Sequence, residues 1–524
     1  MAAAPTHGTA PQYHEPANKW LVAVAVMLAT IMEVIDTTIA NVALLHIRGS
    51  LSAGVDEAAW VLTSYIVANA IIIPLTGWCG AYFGRKRFFI FSILLFVVGS
   101  LMAGASPNLQ ILVFCRVLQG LGGGAMMPMS QAILMETFPP EQQAVAMSVW
   151  GMGMMIGPVG GPILGGWITD NYSWRWIFYI NVPIGITAAL MVAVFVHDPS
   201  YIRRGINKID WWGLWLLAVG VACVQVMLDK GERLDWFDSR LILALTAVGS
   251  IGLVAFVVRE LRTSEPIVNL RVLHNRTFAI GTLFTTIVMF GMYGTYILIP
   301  LFCQQISGYT PMLAGLVLSI QSFGTLISIM VAGRLFNKVD PRVMVTLGCL
   351  AAGTGSWYMA HFYAEIDFWS IAGPGILRGI GSGFIFIPLT TLSLGSVSME
   401  NMGTASGLFN MVRTIGGSIG IAILVAMLTS GAQVHQSYLA AHVDRFQLDQ
   451  LLHASPAASG LIDNFTRHGT TPMLGMLYVQ VQRQATVMAF VDDFRIIAYI
   501  FFILTPVALF MHKPAARSSA PAGH

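Results

Sequence analysis

Charge is what this sequence has least of. Asp, Glu, Lys and Arg together make up 10% of its 524 residues, against roughly 25% in a soluble domain, which excludes an ordinary water-soluble globule. The net charge is +3, with the basic residues scattered, so there is no basic stripe for nucleic acid. Cysteine is also scarce. Cys79, Cys115, Cys223, Cys303 and Cys349 each sit in an apolar run and read as small hydrophobes, not as a disulfide framework or a metal cluster. No histidine falls deep inside an apolar run, and no His/Cys/Asp group has metal-ligand spacing. That leaves no constellation for an enzyme, no metal and no cofactor. No filter or repeated pore ring suggests a channel. Residues 1–18 lack a charged region followed by a cleavage site, so they read as a polar tail and not as a signal peptide.

What is present is apolar length. Hydrophobic residues make up 56% of the chain, gathered into runs of the length that a hydrocarbon core about 30 Å thick requires. The runs are 20–43, 59–80, 88–105, 110–134, 144–168, 176–196, 211–228, 239–258, 278–301, 311–332, 343–362, 368–394, 403–430 and 494–512. The expected fold is an all-α polytopic membrane protein with fourteen transmembrane helices. An even count puts both termini on one side. Alternate connectors collect Arg85, Lys86 and Arg87, then Arg203, Arg204 and Lys208, then Arg259, Arg262, Arg271 and Arg276, then Arg334, Lys338 and Arg342. The bias of such residues to the cytoplasm predicts that both termini are cytoplasmic.

The layout reads as a tail (1–19), a six-helix half (20–196), connectors with two inserted helices (197–277), a second half (278–512) and a short tail (513–524). The halves echo each other: Arg116 to Gly124 with Pro128 is matched by Arg378-Gly379-Ile-Gly381-Ser382-Gly383 with Pro388, and Gly80 to Arg87 in part by Gly333 to Arg342. Repeated halves suit alternating access around a midplane site.

Inside the first run lie two acids, Glu33 and Asp36. An ionised carboxyl at membrane depth is costly unless it meets water or a partner, so the pair predicts a proton pathway, with snorkelling to the run's end as the alternative. Arg116 is a cation that cannot deprotonate and needs a carboxylate, a carbonyl or water beside it. Its expected role is to set how tightly a facing acid holds its proton.

Four stretches resemble a known family. These are Asp36-Thr-Thr-Ile-Ala-Asn41; Gly77-Trp-Cys-Gly-Ala-Tyr-Phe-Gly84-Arg85-Lys86-Arg87; Arg116 to Gly124, including Gln119; and Gly157-Pro158-Val-Gly160-Gly161-Pro162-Ile-Leu-Gly165-Gly166. Together they resemble the fourteen-span drug:proton antiporter branch of the major facilitator superfamily. Ala81 stands where that family's loop usually has Asp, which leaves Arg85 to Arg87 as the charged part of the motif. The resemblance implies export of small hydrophobic compounds driven by the proton motive force, across the bacterial inner membrane. It also implies a tripartite pump, with a periplasmic adaptor and an outer-membrane channel as partners. Gly77, Gly84 and Arg85 with Gly157, Gly161, Pro162, Gly165 and Gly166 would gate, the glycine-rich helix forming a tight seam against the other half.

A multidrug pocket should be soft and aromatic. The candidates are Asn41, Gln119, Met289, Tyr293, Gln321, Asn410 and Arg413. Residues 431–493 fall outside the cytoplasm by topology and would either face the adaptor or cap the outer mouth. An exporter of one metabolite, siderophore or fatty acid on the same fold is the rival reading.

Overall fold

The computed structural model describes residues 18–198, 210–263, 266–441 and 471–509. Every regular element among them is helical. The helices are α1 (Lys19–Ser50), α2 (Val55–Phe83), α3 (Arg85–Gly104), α4 (Leu109–Gly123), α5 (Met126–Thr137), α6 (Gln143–Asn171), α7 (Trp176–Tyr179), α8 (Asn181–Phe195), α9 (Trp211–Lys230), α10 (Arg240–Arg262), α11 (Arg276–Gln305), α12 (Pro311–Leu335), α13 (Pro341–Met359), α14 (Phe368–Gly395), α15 (Met402–Ala441) and α16 (Thr471–Leu509). Twelve helical segments of the described chain are long and apolar enough to cross a membrane. The two outside that set are α13, diluted by glycine, threonine and serine, and α16, which carries Arg483, Asp492, Asp493 and Arg495.

Starts are set by side-chain caps, which supply an acceptor to amides that have no partner within the helix. Asn108 accepts from the Ile111 amide, Asn275 from Thr277 and Phe278, and Thr310 from Leu313. Apolar length alone misjudges three elements. The run 110–134 is two helices, parted after Gly122-Gly123-Gly124. The run 176–196 is the short α7 followed by α8. The span after 403 continues as helix to Ala441, and the last helix begins at Thr471, so both flanks of the segment read as an outer loop are helical. Residues 442–470 lie outside the described residues.

Packing follows the internal repeat. In the first half α1 packs on α6 and α8, and α4 on α2 and α3; in the second, α11 packs on α15 and α16, and α14 on α12 and α13. The inserted helices α9 and α10 pack on each other, clasped by Arg259 Nη2 to Asp210 Oδ1 at 2.7 Å. That guanidinium holds the Asp210 carboxyl below the usual range. One end of the bundle, the basic end, carries Arg85 to Arg87, Arg262, Arg276, Arg334 and Arg342.

Candidate functional site

Asp36 is the centre of a closed polar cluster in the first half. Its Oδ2 accepts from Arg116 Nη1 at 2.7 Å, and its Oδ1 from Gln119 Nε2 and Asn181 Nδ2, each at 2.7 Å. Gln119 Oε1 accepts in turn from Arg116 Nη1 at 2.7 Å, and Arg116 Nε donates to the Val61 carbonyl at 3.0 Å. The guanidinium lies over the Tyr65 ring, 4.2 Å from its centroid. Asn181 is braced by Ser100, whose hydroxyl is 3.0 Å away. All four central residues are buried. A buried ion pair repays its desolvation only with good geometry and further hydrogen bonds, and here the carboxylate has three donors.

The local sequence explains the approach. A side chain at Gly120 would come within 2.5 Å of the Tyr65 carbonyl of α2, and one at Gly122 within 2.6 Å of the Ser92 carbonyl of α3. Only glycine lets α4 lie that close, and that seating delivers Arg116 to Asp36. One turn back on α1, Glu33 Oε1 accepts from Asn69 at 2.9 Å, while Oε2 has no hydrogen-bond partner in the described structure. Arg413, on α15 of the other half, acts on Glu33 electrostatically.

The halves meet along a seam in the basic half of the molecule. Gly77 would place a side chain 2.5 Å from the Thr404 backbone, which makes α2 and α15 a backbone-to-backbone contact. Asn410 Nδ2 donates to Gln131 Oε1 at 2.6 Å, Ser406 to the Pro128 carbonyl at 2.8 Å, and Asn337 to the Glu141 carbonyl at 2.6 Å. Trp150 stacks on Phe386, and Arg413 reaches over both rings, with Met127 Sδ 3.4 Å from its Nη2. Contacts between α6 and α12 run out to Ser319 and the Val159 carbonyl. Towards the opposite end Ile163, Trp167 and Met312 are exposed.

Comparison with known proteins decides what kind of molecule this is. The family model described as the Major Facilitator Superfamily matches residues 26–421. The chain belongs to the major facilitator superfamily. Within this transporter superfamily it is similar to the multidrug export protein EmrB of Haemophilus influenzae, 38% identical over 85% of this chain and 88% of that one. It is likewise similar to the fatty acid resistance protein FarB of Neisseria gonorrhoeae, 34% identical over 95% and 96%. Among solved structures, the human organic anion transporter MFSD10 aligns with a TM-score of 0.60 at 11% identity, over 92% of this chain and 99% of that one. That likeness concerns the fold alone.

The sequence-predicted residues do not all meet at one place. The glycine stripe of α6 does not face the other half as expected. Gly157 and Gly161 lie against Val34 and Thr38 of α1, and Gly165 against Ile39. The stripe therefore seats α6 on the helix that carries Asp36. The cross-half face of α6 is instead Ser148, Gly151 and Val159. Gly166 has nothing within 4 Å, and the side chain of Pro162 lies outside the described residues. Gly84, at φ +90°, makes the turn into α3, and Arg85 pairs with Glu136 of α5, an acid the loop motif alone did not reveal.

Of the substrate candidates, Gln119 belongs to the Asp36 cluster, and Asn410 and Arg413 to the seam. Met289 and Gln321 are buried within the second half, Tyr293 packs against Gly417, and Asn41 is exposed with its amide donating to the Thr37 carbonyl. Asn181 escaped sequence reading. Its only signal was an amide at the start of an otherwise apolar span.

Proposed function

We propose that this transporter exports small hydrophobic compounds in exchange for protons, by alternating access, from the bacterial inner membrane. The observation that carries the reading is the Asp36 carboxylate, sealed at the junction of α1, α4 and α8 with three donors on it. A titratable group held at membrane depth by a permanent cation is what proton coupling requires. With the basic end in the cytoplasm, the seam closes the cytoplasmic side and the site exchanges protons with the opposite side. Glu33, between Asn69 and Arg413, is the second acid and links proton occupancy to the seam. Similarity to multidrug exporters favours hydrophobic drugs as cargo. Similarity to FarB favours fatty acids as a second reading. A periplasmic adaptor and an outer-membrane channel complete the assembly in this proposal, as in a tripartite pump.

The test is uphill export in proteoliposomes under an imposed proton gradient. Asp36→Asn keeps the size of the side chain but removes the titratable group, and it should abolish gradient-driven export while leaving membrane insertion intact. Full export by this variant, still collapsed by a protonophore, would place coupling elsewhere.

A further inference from the structure

Arg378 is the second-half counterpart of Arg116, one helix repeat later, yet its surroundings are different. It is fully buried, and its Nη2 donates to the Gly291 carbonyl of α11 at 2.7 Å. Its Nε and Nη1 have no hydrogen-bond partner in the described structure. In the first half α1 supplies the carboxylate that neutralises Arg116. Its counterpart α11 contains no Asp or Glu, and neither do α12, α13, α14 and α15. Of the acids on α16, Asp492 is engaged by His435 and Arg495, and Asp493 is buried with one carboxyl oxygen unpartnered, but neither accepts a hydrogen bond from Arg378; Tyr296 of α11 lies within electrostatic reach of the guanidinium.

The surrounding polar groups are neutral, and the two hydroxyls among them can donate. Tyr296 lies against Ser322 of α12, both hydroxyls buried. Gln321 sits beside Gly375, one turn from Arg378 on α14, with its Oε1 unpartnered. A guanidinium cannot shed its charge to relieve burial, and the single carbonyl on Arg378 leaves two of its nitrogens without an acceptor.

We propose that the Arg378, Tyr296 and Ser322 group binds a small inorganic monovalent anion of the chloride class. The anion takes the place that the Asp36 carboxylate fills in the first half. Two donors of Arg378 and two hydroxyls suit a small spherical acceptor. The site is closed by α11, α12, α13 and α14, which excludes a bulky organic anion.

The experiment is the thermal unfolding of the purified full chain in detergent, titrated with sodium chloride against sodium gluconate at equal ionic strength. An anion bound only by the folded state raises Tm in a saturable way. The wild type should melt about 2 °C or more higher in chloride, and Arg378→Met should melt alike in both salts. Gln321→Glu places a carboxylate beside the guanidinium, and it too should lose the chloride response while remaining as stable as the wild type in chloride. Because Gln321→Glu keeps Arg378, it decides the matter even if Arg378→Met does not fold. Equal Tm in the two salts for the wild type, as expected if only water fills the site, would overturn the proposal. So would a chloride response that persists in Gln321→Glu.

Discussion

The Asp36 and Arg116 pair tests the balance between two costs. Each ion alone is expensive to bury, so removing one partner leaves an uncompensated charge, and Arg116→Gln should destabilise the protein by about 3–5 kcal/mol. Adding Asp36→Asn removes the orphaned charge, and the double variant should recover a large part of that loss. Detergent unfolding of the two single variants and the double variant measures the coupling, and simple additivity would mean that the pair makes no net contact in solution. The acid and the arginine were both legible in the sequence, because charge inside an apolar run is conspicuous at any register. Gln119 and Asn181 were not legible in this role. A neutral amide carries no composition signal, and what it bonds to depends on which helices the fold brings together, so in the sequence Gln119 reads as a substrate contact and Asn181 does not stand out.

Helices were easier to foresee than the faces they turn to each other. Apolar length located every long helix of the described chain, since a bilayer requires about twenty such residues, but it gave no account of the break after Gly124 or of the helix that continues to Ala441. Glycine spacing announced that α6 is closely packed without saying against what. Its placement on α1 makes a sharp contrast testable. Gly161→Val would drive a branched side chain into Thr38 and should cost about 1–3 kcal/mol, displacing the helix that holds Asp36 and depressing export. Gly166→Ala meets nothing within 4 Å and should be neutral or stabilising by roughly 0.5–1 kcal/mol. Thermal melts and export rates of the two variants separate this packing from a general intolerance of side chains along α6.

At the scale of the whole molecule, the proposed alternating access requires the seam to part before substrate reaches the other side. Cysteines at Glu141 and Asn337, whose segments touch at the basic end, should be joined by a short thiol-reactive linker once the native cysteines are replaced. Export should stop when they are joined and return with a cleavable linker after reduction. Continued transport by the linked protein would show that this end does not open. The inserted pair bears on the same proposed motion. On one face of α9, Asp229 accepts from Thr63 of the first half at 2.5 Å, and one turn earlier Gln225 meets Ser418 of the second half at 3.2 Å. A helix fastened to both sides of a joint cannot ride with either. If the halves rock as proposed, each cycle would have to slip one of these two fastenings, and α9 and α10 would then act as a friction plate whose grip sets how freely the machine turns over. Lipid around the exposed outer face of α10 would in that case press on the stroke itself without touching the cargo.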